Sequence, residues 1–177
     1  MKTLFLLRHA KSDWADLDQQ DFDRPLNARG RKAALAMGRE LRRLGLAADR
    51  IIASPAARVR ETLALLAEGY GARMPIDEDE RLYLAGVETL LMIARSADDG
   101  RESLLLVGHN PGLHNLAVRL VREGAGRADV APKYPTGALA EIVFGVDRWA
   151  DIASASGRLN RFLRPRDLAA DGESDED

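Results

Sequence analysis

Cysteine is absent from the 177 residues, which excludes disulfides, thiolate nucleophiles and cysteine-ligated zinc or iron–sulfur centres. Aromatic residues are scarce at 5%, so the core must be aliphatic, and the supply of Ala, Leu, Ile and Val points to helices packed closely around it. Neither sign of charge dominates. The formal charge of −2 gives no support to nucleic-acid binding, which would show as a basic excess. No long apolar run occurs near the start: residues 3–7 are closed off by Arg8-His9, too soon for a signal-peptide core or a bilayer span. A cytoplasmic protein with neither membrane nor nucleic-acid partners is the expectation. Also missing are a Gly-rich loop followed by Lys and Ser or Thr, a dinucleotide fingerprint after the first strand, and a His-Glu-x-x-His pattern. No cofactor and no metal are therefore expected.

What is present suffices for one compact unit. With 46% hydrophobic residues the chain can bury a core, and its length fits a single domain over residues 1–168. An acidic tail, 169–177, has no core of its own and is expected to be flexible. Residues 3–7 read as a buried strand, and the polar stretch 16–26 as a loop before a helix that begins near Asn27 and stops at Gly45. Residues 50–53 form the next strand, and Ser54-Pro55 turns the chain into a helix containing Arg58, Thr62, Leu65 and Leu66, closed by Gly69 and Gly71. Residues 76–82 read as a short strand and a loop, and 86–97 as a third helix. The clearest strand, 103–107, delivers Gly108-His109-Asn110-Pro111 and then a helix from about Leu113. Residues 124–135 look like a loop. Residues 138–144 alternate like a strand, with 149–152 as a candidate partner for it around Gly145. Strand, edge residues and helix recur in that order, the pattern of a layered α/β domain with helices on both faces of its sheet.

Only three histidines occur, and two of them, His9 and His109, follow the two strongest strands at the edge where open α/β sheets bind ligands. A lone histidine is as readily a polar cap; their shared placement singles this pair out. His114 comes five residues after His109, off the facing intervals of a helix, and is expected to pack or hydrogen-bond within its own helix. Arg8 and Arg58 supply permanently charged forks suited to phosphate oxygens, and Arg58 sits near a helix N-terminus, which favours an anion. Arg60, nearby but turned away by helical geometry, reads as a surface residue.

Three motifs in order then become specific: Leu7-Arg8-His9-Ala10, Ser54-Pro55-Ala56-Ala57-Arg58-Val59-Arg60-Glu61-Thr62, and Gly108-His109-Asn110-Pro111. Together they resemble the histidine phosphatase superfamily. The opening Arg8-His9-Ala10-Lys11-Ser12-Asp13-Trp14, with Asp23-Arg24-Pro25-Leu26-Asn27-Ala28-Arg29-Gly30, is similar to its short phosphohistidine phosphatase (SixA-like) branch. The resemblance implies a phosphoglycerate mutase-like fold, three-layered, with a mostly parallel central sheet and helices on both faces. By position it makes His9 the phosphorylated nucleophile, Arg8 and Arg58 the phosphate-binding arginines and His109 the second pocket histidine, with no metal. Ala10 departs from the commoner glycine, and a slightly altered turn is expected. Glu80 is the candidate general acid by order, although its motif match is poor, with Asp21 and Asp23 weaker still.

The expected mechanism has a neutral His9, one ring nitrogen tied to a backbone carbonyl and the other free to attack phosphorus, while Arg8, Arg58 and a protonated His109 hold the equatorial oxygens. The first reading of the substrate is phosphohistidine in a protein, with a signalling or phosphotransfer protein as partner. A small-molecule phosphomonoesterase is the alternative, and a catalytically silent phosphate- or phosphoprotein-binding domain is the rival from another class. A phosphomutase is disfavoured because the short chain offers little material for a lid.

Overall fold

The computed structural model describes residues 1–170. Its six strands are β1 (Lys2–Arg8), β2 (Arg50–Ala53), β3 (Ile76–Glu78), β4 (Ser103–Gly108), β5 (Leu139–Phe144) and β6 (Arg158–Leu163), in the spatial order β3-β2-β4-β1-β5-β6. The β2–β3, β2–β4 and β1–β4 pairs are parallel, and β5 and β6 add an antiparallel edge. The helices are α1 (Ala28–Arg43), α2 (Ala57–Tyr70), α3 (Val87–Arg95), α4 (Gly112–Leu120), α5 (Ala125–Val130) and α6 (Pro165–Ala170).

β1 shows no polar alternation because both of its faces are covered. Leu4 and Leu6 join one apolar cluster with Leu90, Leu91 and Ile93 of α3 and Leu113, Leu116 and Leu120 of α4. Phe5 and Leu7 join the other, with Met37 and Leu41 of α1 and Val59, Leu63 and Leu66 of α2. These are the outer layers expected from the repeating pattern. The α1–α2 contact is unusually close: a Cβ on Gly38 would fall 2.1 Å from Leu66 O, and one on Gly69 2.1 Å from Leu35 O. Gly69 therefore packs within α2 instead of closing it, and Gly71, at φ 77°, makes the left-handed cap.

Three other expectations change. Residues 124–135 contain α5, a turn-and-a-half whose only buried residue is Val130, too little apolar periodicity to show in sequence. His114 stabilises it from outside, through Nε2 at 2.8 Å from Val130 O, so its hydrogen bond leaves its own helix. Residues 149–152 do not pair with β5. Trp149 starts a 3-10 turn, fully buried, with its backbone N–H on Asp99 Oδ1 (2.7 Å) and its indole N–H on Arg101 O (2.9 Å), and β6 takes the strand position instead. The expected tail begins inside α6, and residues 171–177 lie outside those described. No helix among the described residues is long and apolar enough to cross a membrane.

Candidate active site

Parallel pairing brings three loops to one edge of the sheet. Arg8 lies opposite Gly108 and Ala53 opposite Val107, so the residues that follow, His9, His109 and Ser54, emerge side by side. They do so where β4 and β1 are flanked by β2 on one side and antiparallel β5 on the other, a crevice of the kind in which open α/β sheets bind ligands. Gly137, at φ 74°, donates to both Arg8 O and His9 O, and Thr62 Oγ1 ties α2 to the β1 loop by accepting from Ala10 N (3.0 Å) while donating to Arg58 O (2.6 Å). Ala10 itself is fully buried. The result is a cleft of about 290 Å³ lined by Arg8, His9, Lys11, Ser12, Trp14, Asp21, Arg58 and Thr136.

His9 is 7% exposed, and its Nδ1 lies 2.7 Å from Ala10 O. A carbonyl can only accept, so Nδ1 carries the proton and the lone pair of Nε2 is free. Burial chiefly pushes its pKa down to about 4, with Arg58 and Arg8 adding to the fall against the Ala10 carbonyl. The ring is therefore neutral at pH 7.

His109 is also buried, with its ring centroid 5.2 Å from that of His9. Its Nδ1 faces Arg58 Nη2 at 3.2 Å and its Nε2 faces Ser54 Oγ at 2.8 Å. A guanidinium only donates, so Nδ1 accepts and the Nε2–H points at Ser54. Burial first, then His9 and Arg58, push the pKa down to about 3. In the ligand-free protein His109 is neutral, because burial first, then His9, then Arg58 disfavour its protonated form; the protonated His109 expected from sequence belongs to the substrate-bound state.

Arg58, in the first turn of α2 and 4% exposed, donates to Asp21 O (2.6 Å) and Asp21 Oδ2 (3.0 Å) as well as to His109. Arg8 spends Nη1 on Tyr134 O at 2.9 Å, while its buried Nε has no protein partner. Burial, then Arg58, lowers the Arg8 pKa, which for a guanidinium still leaves the charge intact. The structure thus brings Arg8, His9, Arg58 and His109 together and leaves Glu80 out: Glu80 is exposed at the start of the 3-10 turn Glu80–Leu82 and does not line the cleft. Arg60 faces outward and pairs with Glu78. His9 and His109 have no companions, among the described residues, that would complete a group of three metal-binding side chains.

Two residues that sequence reasoning undervalued or missed stand in the site. Asp21, from the polar loop, accepts from Tyr83 Oη (2.6 Å) as well as from Arg58. Burial raises its pKa, but the hydrogen bonds from Tyr83 and Arg58 and the Arg58 charge outweigh that and leave it lowered. The ring of Tyr83 meets His109 edge-on at 5.4 Å and Phe22 at 5.1 Å. Arg24 organises the loop that presents Asp21. It is 4% exposed, with its guanidinium on the carbonyls of Asp13 (3.0 Å), Asp16 (3.1 Å) and Gln19 (3.1 Å) and 3.9 Å from the Trp14 ring.

Comparison with known proteins gives the family of the chain. Residues 4–83 match the model of the histidine phosphatase superfamily (branch 1). An uncharacterised protein of Mycobacterium tuberculosis is 35% identical over 164 residues, 90% of this chain and 100% of its own length. Among solved structures, a protein of Nakamurella multipartitia provisionally named phosphohistidine phosphatase SixA is 31% identical, with a TM-score of 0.79 over 93% of this chain and 96% of its own. One of Agrobacterium tumefaciens with the same provisional name is 30% identical, with a TM-score of 0.77 over 93% and 98%.

Proposed function

We propose that this chain, which belongs to the histidine phosphatase superfamily and to its short SixA-like branch, hydrolyses phosphohistidine on proteins by passing the phosphoryl group through His9. The Nε2 lone pair attacks phosphorus in line, the P–N bond to the substrate imidazole breaks, and phospho-His9 forms; water then attacks phosphorus, releasing phosphate and restoring His9. Arg8 and Arg58 hold the equatorial oxygens, and catalysis rests mainly on placed charge. A dianionic phosphoryl group beside His109 favours its protonated form, so His109 takes up its electrostatic role once substrate is bound.

The observation that carries the substrate class is the state of the carboxylate in the cleft. Asp21 is held in its ionised form by Tyr83 and Arg58, and an ionised carboxylate has no proton to give. Glu80, the acid expected from sequence order, is exposed and away from the cleft lining. An alkoxide leaving group needs a proton in the transition state, whereas a phosphohistidine ring that is already protonated departs as neutral imidazole.

The test is kcat/KM across pH for a phosphohistidine peptide and several phosphomonoesters, with chelator present, on wild type and His9→Ala. We expect the phosphohistidine peptide to be preferred, chelation to change nothing, and folded His9→Ala to be inactive. Preference for an ester would establish the small-molecule phosphomonoesterase instead. No turnover of either class would establish the silent binding domain.

A further inference from the structure

A second depression adjoins the cleft and is larger, about 480 Å³, lined by residues from the N-terminal part of α1, the α5 region and the start of α6. Lys11 and Thr136 line both spaces and form the wall between them. Its cations are Lys11, Arg29, Lys133, Arg164 and Arg166, and its only acid is Asp129. One further carboxylate, Asp167, is shared by Arg164 and Arg166. Lys11, Arg29 and Lys133 have no ion-pair partner among the described residues. The chain as a whole is at −2, so this surface runs against the molecule's own charge.

Its placement also runs against helix electrostatics. The first turn of α1 contains no acid, although the helix N-terminus favours acids; Arg29, Arg31 and Lys32 stand there instead. Arg31 is engaged, donating to Leu26 O and lying 3.6 Å from Glu61, whereas Arg29 is exposed toward the groove. Helix and cleft are held at a fixed spacing, because Lys11 O accepts from Asn27 N (2.9 Å) and a Cβ on Gly30 would fall 2.1 Å from that same oxygen.

We infer that this groove docks an acidic polypeptide segment flanking the phosphorylated histidine of the substrate, an inference that rests on the phosphoprotein reading above. The chemistry favours a polypeptide. Its unpaired cations are exposed and spread along the groove, an arrangement that selects partners and speeds encounter through complementary charge. The apolar lining, Pro132, Pro135, Pro165, Ala33 and Ala128, suits an extended chain. Nucleic acid is disfavoured because the groove offers no aromatic platform for bases. Trp14, which lines the adjoining cleft, is 61% exposed, a large apolar side chain open to the same partner.

Two measurements on the full chain test this, using wild type and R29E/K133E, which alters exposed residues outside the catalytic cleft. In the first, fluorescence anisotropy follows a labelled, phosphate-free Glu/Gly dodecapeptide at low salt. Saturable binding that weakens with salt and is lost in the variant is expected; binding no better than that of a Gln/Gly control, or tighter binding of an oligothymidylate, overturns the inference. In the second, kcat/KM is compared for phosphohistidine peptides flanked by glutamates or by lysines and for free phosphohistidine. Wild type should prefer the acidic peptide by about tenfold at low salt and the variant should reverse that order, with free phosphohistidine unchanged. Equal rates on the two peptides overturn the docking groove while leaving the phosphohistidine activity standing. Absence of turnover on all three overturns the activity, and the anisotropy result still decides the groove.

Discussion

Acidification should destabilise this protein through its two catalytic-edge histidines before its carboxylates become the main cause. The folded pKa values of His9 and His109 are pushed down to about 4 and about 3, against an ordinary value of about 6.5 in the unfolded chain. The unfolded state therefore takes up protons first. Stability is full above about pH 6.5 and is lost as pH falls from there toward the folded values. Integrating that proton uptake between pH 7 and pH 5 gives a loss of about 2 kcal/mol for each ring, roughly 4 kcal/mol for the pair. Urea unfolding at pH 7, 6 and 5 measures it, with wild type, His9→Gln and His9→Gln/His109→Gln compared by their change across pH, so that groups common to all three cancel. We expect a loss of about 2 kcal/mol less in the single variant than in wild type and roughly 4 less in the double variant. Equal pH slopes in the three proteins would refute the claim that these rings are held neutral by burial and by the arginines beside them.

Arg58→Ala should lower kcat by roughly 10²- to 10³-fold, the scale of losing one aimed oxyanion donor, with Arg58→Lys recovering little because the fork geometry is gone. Single-turnover kinetics separate this from weakened binding, and a raised KM with unchanged kcat would contradict it. Glu80→Gln should leave phosphohistidine turnover within about twofold. Asp21→Asn removes a negative charge that faces the phosphoryl site, so inhibition by orthovanadate should tighten by about 1 kcal/mol, roughly fivefold; weaker inhibition would contradict that placement.

Much of this architecture could be read from local pattern. The strand at residues 50–53 matches β2 at both ends, and the positions of His9 and His109 after β1 and β4 follow from two apolar runs ending in polar residues. Both cases are set by sequence neighbours. Asp21 ranks below Glu80 in sequence and Tyr83 gives no signal at all, because what brings them into the site is a contact 62 residues apart in sequence, from two segments without periodicity. α5 escaped notice because a six-residue helix with one buried side chain has no stripe to detect. Trp149 was misplaced because an aromatic residue reads as β-forming, whereas here it fills the core and satisfies its polar atom on Arg101 O. The protonation of His109 depends on which atom of Arg58 faces it, a matter of tertiary geometry.

The backbone of the loop over residues 13–23 converges on one buried guanidinium, that of Arg24, and Phe22 is its single side chain packed against a large apolar cluster among the described residues. Its cohesion is mostly local, tied to the rest of the domain by the bonds of Asp21 to Arg58 and Tyr83 and by Phe22, and it should open as a cooperative unit smaller than the domain. When it opens, the sheet and both helical layers stay intact, but Asp21 withdraws from Arg58 and the cleft loses its rim. The amides of this segment should exchange with solvent through that partial opening while those of β1 and β4 wait for global unfolding. Residence time of a bound phosphoryl group and thermal endurance of the fold are consequently separate quantities, set by different residues and free to drift independently.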